Sequence, residues 1–259
     1  MTALRAAFRE VDARMTRPTG AVFGALRVFR LAAAAARGLV VVQVAHARGG
    51  EAAARDAFSG VAYELADVLG VSIDTSGVLD PSAHEIRVAN HTSYLDVLVV
   101  AAARGGRFLS RHDVEGWPLV GRVASQVGTL FVDRASHGGR AKALRALGRA
   151  AGEGAPLVIF PEGKTSAHAL YPFARGAFTV ARAAGVAVQP LAIAYDDVDE
   201  VAWVDDMTFL PHLFRRLSGP YVRAEVHALS PIPPSDRKAG EVATEAREAI
   251  ARFLGRGLR

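Results

Sequence analysis

The sequence predicts an α/β fold, a mostly parallel sheet flanked by helices, entered through an N-terminal helical segment. Three observations carry this. From Val71 onward, apolar runs of strand length alternate with helical runs, the pattern of strands joined by crossover helices. Before Val71 there is only helical patterning, broken at Pro18-Thr19-Gly20 and Gly49-Gly50. Of the 259 residues 51% are hydrophobic, so a sizeable core is available for one large α/β domain or two small ones.

Residues 3–17 read as a short amphipathic helix and 21–46 as a longer apolar one. Arg27, Arg30 and Arg37 interrupt the second, so no run of 18 uncharged apolar residues supports a clean membrane span. At 100° per residue, Arg30, Arg37 and Arg48 fall on nearly one line with Arg27 beside them; Val28, Ala32, Ala35, Leu39 and Val42 lie opposite. A helix lying in a membrane interface, arginines toward lipid phosphates, has this pattern, and so does a soluble helix packing its apolar face on a core. Residues 1–48 are read as an amphipathic docking segment and 49–259 as the α/β domain. No signal peptide with a cleavage site is evident.

Glu51 to Leu69 reads as a further helix stopped by Gly70. The expected strands are 71–74, 85–90, 107–109, 129–132, 157–160, 186–194 and, last, 221–229. Helices are expected over 95–104, about 118–127, 139–151, 175–184, a short one over 210–217, and 235–258. Pro190 inside the 186–194 strand marks a local distortion, because proline is confined to edges, starts or irregular places.

The net charge of +5 suits an acidic membrane surface, a phosphorylated substrate or nucleic acid. The basic residues are scattered, and no nucleic-acid-binding signature accompanies them, so no nucleic-acid partner is expected. With no cysteine, disulfides, zinc–thiolate sites and cysteine nucleophiles are excluded. The histidines show no metal spacing, and no Gly-x-Ser-x-Gly elbow occurs. No metal or cofactor is expected.

If the sheet is parallel, functional groups gather beyond the C-terminal ends of its strands. His91 follows one strand, in a turn, and Asp96 lies five residues on. Residues i and i+5 of one helix point about 140° apart. The two can meet only if His91 is in the turn and Asp96 in the first helical turn. A histidine acceptor oriented by a carboxylate is what activates a hydroxyl. The bland alternative is a capping box, Ser93-x-x-Asp96, with His91 an ordinary turn residue.

Asp133-Arg134 follows a second strand; the arginine fork suits phosphate, and a weak surface charge pair is the alternative. Phe160-Pro161-Glu162-Gly163-Lys164-Thr165 follows a third. A P-loop would need glycine at 158, which is Val158. Pro161 and Gly163 instead set a tight turn expected to aim Glu162 and Lys164 outward, for a polyol and an anion or merely into solvent.

With these blocks in order, the chain resembles the 1-acyl-glycerol-3-phosphate acyltransferases of the glycerolipid acyltransferase family. The resemblance covers about residues 70–195 through Asn90-His91-Thr92-Ser93-Tyr94-Leu95-Asp96, Gly128 to Arg134, Phe160-Pro161-Glu162-Gly163 and Val188-Gln189-Pro190. It implies that His91 is the general base and that Asp96 orients it. Arg134, Glu162 and Gly163 would bind the glycerophosphate, helped by Lys164. Arg111 stands where many members carry a basic residue before Asp113-Val114 and Trp117 to Gly121. Members usually show Thr-Arg after Glu-Gly; here Lys164-Thr165 shifts the basic group by one position, which bears on the head group rather than the chemistry.

The expected function is acyl transfer from acyl-CoA or acyl-ACP, as co-substrate, to a lysophosphatidate-type acceptor, at the cytoplasmic face of the membrane. The rivals are an acyltransferase for another lyso-lipid, such as a lyso-ornithine lipid, and a non-catalytic membrane-binding module.

Overall fold

The computed structural model of the chain describes residues 21–74, 79–133 and 138–259. Its first element, α1 (Ala21–Val68), is two helical arms joined at a kink where Gly49 and Gly50 leave helical geometry. The sheet and its helices follow: β1 (Val71–Asp74), β2 (Glu85–Ala89), α2 (Leu95–Ala102), β3 (Arg107–Arg111), a 3-10 turn (His112–Gly116), α3 (Val120–Gln126), β4 (Leu130–Val132), α4 (Gly139–Gly152), β5 (Leu157–Ile159), β6 (Ala169–Leu170), α5 (Gly176–Ala184), β7 (Ala187–Tyr195), α6 (Val198–Val201), α7 (Phe209–Ser218), β8 (Val222–Ala228), α8 (Ala239–Leu254) and β9 (Gly257–Leu258).

Seven strands form one sheet in the order β1-β8-β7-β2-β5-β3-β4. All neighbouring pairs are parallel except β7–β8. Apolar groups on both faces of the sheet are covered, as a mainly parallel sheet requires. On one side Val158, Leu191 and Ile193 pack with Ala62, Ala66, Leu95, Val99 and Leu217, from α1, α2 and α7. On the other, Ile86, Val88, Ile159 and Ala192 pack with Leu147, Phe178, Ala246 and Ile250, from α4, α5 and α8.

Three details depart from the sequence reading. Pro190 lies in an interior strand, not at an edge. Its distortion is local: β8 pairs with β7 only from Leu191 onward, and the Gln189 amide donates to the Pro190 and Leu229 carbonyls. The expected helix over 235–258 ends at Leu254, and the chain turns into β9, which pairs parallel with β6. Finally, the arms of α1 fold against each other so closely that a methyl on Gly38 would stand 2.5 Å from Val61.

That hairpin of helices redraws the expected docking face. Val42, expected toward lipid, is fully buried, and Arg27, expected toward phosphates, is buried and donates to the Leu217 carbonyl at 2.6 Å. Arg30 and Arg37 pair with Asp67 and Glu64 of the second arm. The side left uncovered carries Leu26, Val28, Phe29, Val40 and Val44. Against the expectation from its charges, the helix is long and apolar enough by composition to cross a membrane, and its most apolar 18-residue window is only 17% buried. Residues 1–20, with the expected first helix, lie outside the described residues.

Candidate active site

The register of β2 against β5 pairs Val88 with Ile159. His91 and Glu162 therefore emerge side by side, each three residues beyond its strand pair. On the other flank β2 runs beside β7, and there Asn90 replaces the ladder with its side chain. Its amide donates to the Ile193 carbonyl at 3.1 Å and accepts from Ile193 N at 2.8 Å. Fully buried, Asn90 ends β2 without leaving β7 unpaired, and the chain is free to turn at His91.

Asp96 sits in the first turn of α2 with no solvent exposure. Its Oδ2 accepts from His91 Nδ1 at 2.8 Å, Thr92 N at 2.6 Å and Ser93 N at 2.9 Å. Its Oδ1 accepts from the Tyr195 hydroxyl at 2.7 Å. The capping alternative is thus half correct: Asp96 does tie down the 92–93 turn, but Ser93 Oγ has no partner among the described residues and the same carboxylate oxygen holds the imidazole. Burial first, and then the negative charge of Asp96, push the Tyr195 phenol well above its ordinary value, so the hydroxyl stays a donor. A carboxylate surrounded by donors fixes the tautomer: Nδ1 carries the hydrogen and Nε2 presents its lone pair. The ring lies flat on Phe160, centroids 4.3 Å apart, and its side chain is 20% exposed. A partly exposed imidazole, with its ring held by stacking and by a buried carboxylate, can take a proton on Nε2 from an incoming hydroxyl.

Glu162 does not point outward as the turn chemistry suggested. It is buried: Oε1 accepts from His91 N at 2.8 Å, and Oε2 from Ser166 Oγ at 2.7 Å and Tyr171 N at 2.8 Å. Burial raises its pKa, against the pull of those three donors. The reason is register: three orphan donors face the same point beyond the strand ends, and only a carboxylate meets them all. Gly163 turns the chain at φ +74°, and Lys164 is the residue that reaches solvent, its Nζ 3.7 Å from the Tyr171 ring centroid. Arg111 is level with Asn90 but two strands away, about 10 Å by sheet spacing. It is exposed and engaged by both carboxylate oxygens of Asp113 at 3.0 Å. Arg134 lies outside the described residues.

Several residues of the site carry no motif. Tyr195 is 99 positions from its partner, its only sequence signal being a place at the end of an apolar strand. Arg256, from the segment after α8, donates to Thr92 Oγ1 at 3.1 Å across 164 positions, and its charge acts on Asp96, Glu162 and Tyr195. Nothing in the sequence marks it. Beside the dyad, Tyr94 makes edge contacts with Trp203 and Phe209, and Phe209 meets Trp117 at a tilt, so an aromatic wall runs from the motif to the half-exposed Trp117.

A family model described as "Acyltransferase" matches residues 75–194. The lyso-ornithine lipid O-acyltransferase of Pseudomonas aeruginosa is 38% identical over 168 residues, covering 63% of this chain and 65% of that protein. The enzyme of the same name from Brucella abortus is 32% identical over 196 residues, covering 68% and 73%. Among solved structures, the 1-acyl-sn-glycerophosphate acyltransferase of Thermotoga maritima shares the fold, with a TM-score of 0.68 and 18% identity over 90% of this chain and 94% of that one.

Proposed function

We propose that this chain, which belongs to the glycerolipid acyltransferase family, moves a fatty acyl group from a thioester to the free hydroxyl of a lyso-ornithine lipid. That it is a lipid O-acyltransferase follows from the family. The observation that carries the chemistry is the His91–Asp96 pair, which engages Nδ1 and leaves Nε2 with no hydrogen bond among the described residues. The acceptor's hydroxyl gives its proton to Nε2 as its oxygen attacks the thioester carbonyl. The tetrahedral intermediate collapses, the C–S bond breaks, and the thiolate leaves with the proton from the imidazolium. Ester and thiol are the products, and the histidine is returned neutral. Asp96 holds the ring's tautomer and stabilises the imidazolium that forms in between.

Two observations support the ornithine head group over phosphate. Relatives 38% and 32% identical, aligned over 63% and 68% of this chain, carry that name, and the basic residue usual after Glu-Gly-Thr is here Thr165, whose hydroxyl is spent on the Trp203 carbonyl. A lysophosphatidate acceptor is the second reading, favoured by the exposed Lys164. A non-catalytic module would have no use for a dyad so fully supported by Tyr195, Thr92 and Ser93. The acyl donor, acyl-CoA or acyl-ACP, would meet the acceptor at a membrane reached by the uncovered side of the first arm of α1. Arg30 and Arg37, held only by surface pairs, remain available to lipid phosphates.

The test is a panel of lyso-lipids with one donor thioester. Lyso-ornithine lipid should be acylated in preference to lysophosphatidate, and His91→Ala should abolish transfer while the protein stays folded. Preference for lysophosphatidate would overturn the head group, and a fully active His91→Ala variant would overturn the base.

A further inference from the structure

Beyond α8 the chain does not trail away. Gly257 N donates to the His168 carbonyl and Arg259 N to the Leu170 carbonyl, both at 3.0 Å, and the Arg247 guanidinium clamps the main-chain oxygens of Leu170 and Arg259. Residues 257–259 are thereby fixed along the loop that follows Glu162. This placement brings the Arg259 guanidinium onto Tyr171: its carbon stands 4.6 Å from the ring centroid, and Nη1 bonds the phenol oxygen. Lys164 Nζ stands over the same ring at 3.7 Å. Two cations thus sit within about 8 Å of each other, and among the described residues neither is in an ion pair with a carboxylate. Like charges held this close repel, and an oxyanion bound beside them relieves the repulsion and gains charge-assisted hydrogen bonds. Glu162, which holds the Tyr171 main chain, already accepts from His91 N, Ser166 Oγ and Tyr171 N.

The loop that carries Tyr171 runs beside the turn that carries His91. Tyr171 N and His91 N bond the two oxygens of one carboxylate, each at 2.8 Å, so they lie no more than about 8 Å apart.

We infer that Lys164 and Arg259, gathered on Tyr171, form an anion subsite that holds the oxyanion of the acceptor's head group while its hydroxyl reaches His91. The inference rests on the lipid acyltransferase reading above but not on which head group is right. An ornithine head group offers its carboxylate and a lysophosphatidate its phosphate. Arg259 lies far outside the motifs, and only the pairing of β9 with β6 makes it part of the site.

Binding is measured by calorimetry on the full chain with two short-chain probes, an N-acylornithine and an acylglycerol phosphate, each lacking the hydroxyl that would be acylated, so that affinity is read without turnover. Arg259→Ala and Lys164→Ala should each weaken at least one probe about tenfold, some 1.4 kcal/mol. Arg259→Lys should restore most of the loss, and the melting temperature should not move, since both side chains are exposed. With the corresponding hydroxyl acceptor, KM should rise and kcat hold, a split that mere loosening of β9 would not give. Loss confined to the N-acylornithine assigns a carboxylate ligand, and loss confined to the phosphate probe assigns a phosphate; either supports the subsite. Unchanged affinity for both probes in Arg259→Ala, or no binding of either by the wild type, overturns it. Binding that depends on Arg259 without acylation of either acceptor keeps the subsite and refutes the acyltransferase reading of its purpose.

Discussion

Replacing Asp96 by asparagine tests the catalytic reading most directly, because the structure fixes what is lost. The side chain keeps its shape, and its single carbonyl oxygen can still face His91 Nδ1, Thr92 N and Ser93 N. The amide nitrogen then meets the Tyr195 hydroxyl, which can rotate to accept. The fold should survive at a cost of about 1–3 kcal/mol for the weakened bonds. What disappears is the charge that stabilises the imidazolium. With charge centres about 4 Å apart and an effective dielectric near 20, that attraction is worth about 4 kcal/mol, or on the order of a thousandfold in rate. Steady-state kinetics on Asp96→Asn should show kcat lower by roughly that factor, with acceptor KM within about twofold. Asp96→Ala should be markedly less stable, since it leaves two buried N–H groups unpaired. An Asp96→Asn enzyme with unaltered near-ultraviolet dichroism and kcat within tenfold of wild type would refute the proposed role.

Two further outcomes follow from burial. The Glu162 carboxyl is raised above its ordinary 4.5 by burial, so the folded state holds that proton more tightly than the unfolded chain. Its contribution to stability is full below the unfolded value and declines as pH rises through the raised folded one. Glu162→Gln should flatten unfolding free energy against pH just above 4.5 and cost about 1–3 kcal/mol at neutral pH, because an amide cannot serve His91 N, Ser166 Oγ and Tyr171 N together; denaturant melts from pH 4 to 7 that keep the wild-type slope would refute this. For docking, Phe29→Glu with Val40→Glu on the uncovered face of α1, where these residues are 73% and 59% exposed, should lower partitioning onto anionic vesicles about tenfold or more, and undiminished sedimentation with vesicles would remove the arm from that role.

Sequence alone determined what depends on neighbours along the chain. The alternation of strand and helix, the break at Gly49-Gly50, the turn at Gly163 and the placement of His91 outside α2 with Asp96 inside it are all set by local hydrogen bonding, glycine conformation and apolar periodicity, which span a few residues each. The dyad was legible for the same reason, its partners being five positions apart. Tertiary structure decided what depends on register between distant strands. Side-by-side exit of β2 and β5 turned Glu162 inward, onto three donors that no local pattern reveals. The reach of β7 past Asn90 delivered Tyr195 to Asp96, and the pairing of β9 with β6 brought in Arg256 and Arg259. The helical hairpin reassigned the arginines of α1: amphipathicity gives the angle between polar and apolar faces but not which face finds a partner. Arg27 and Val42 both went inside, because the second arm and α7 offered them carbonyls and methyl groups to pack against.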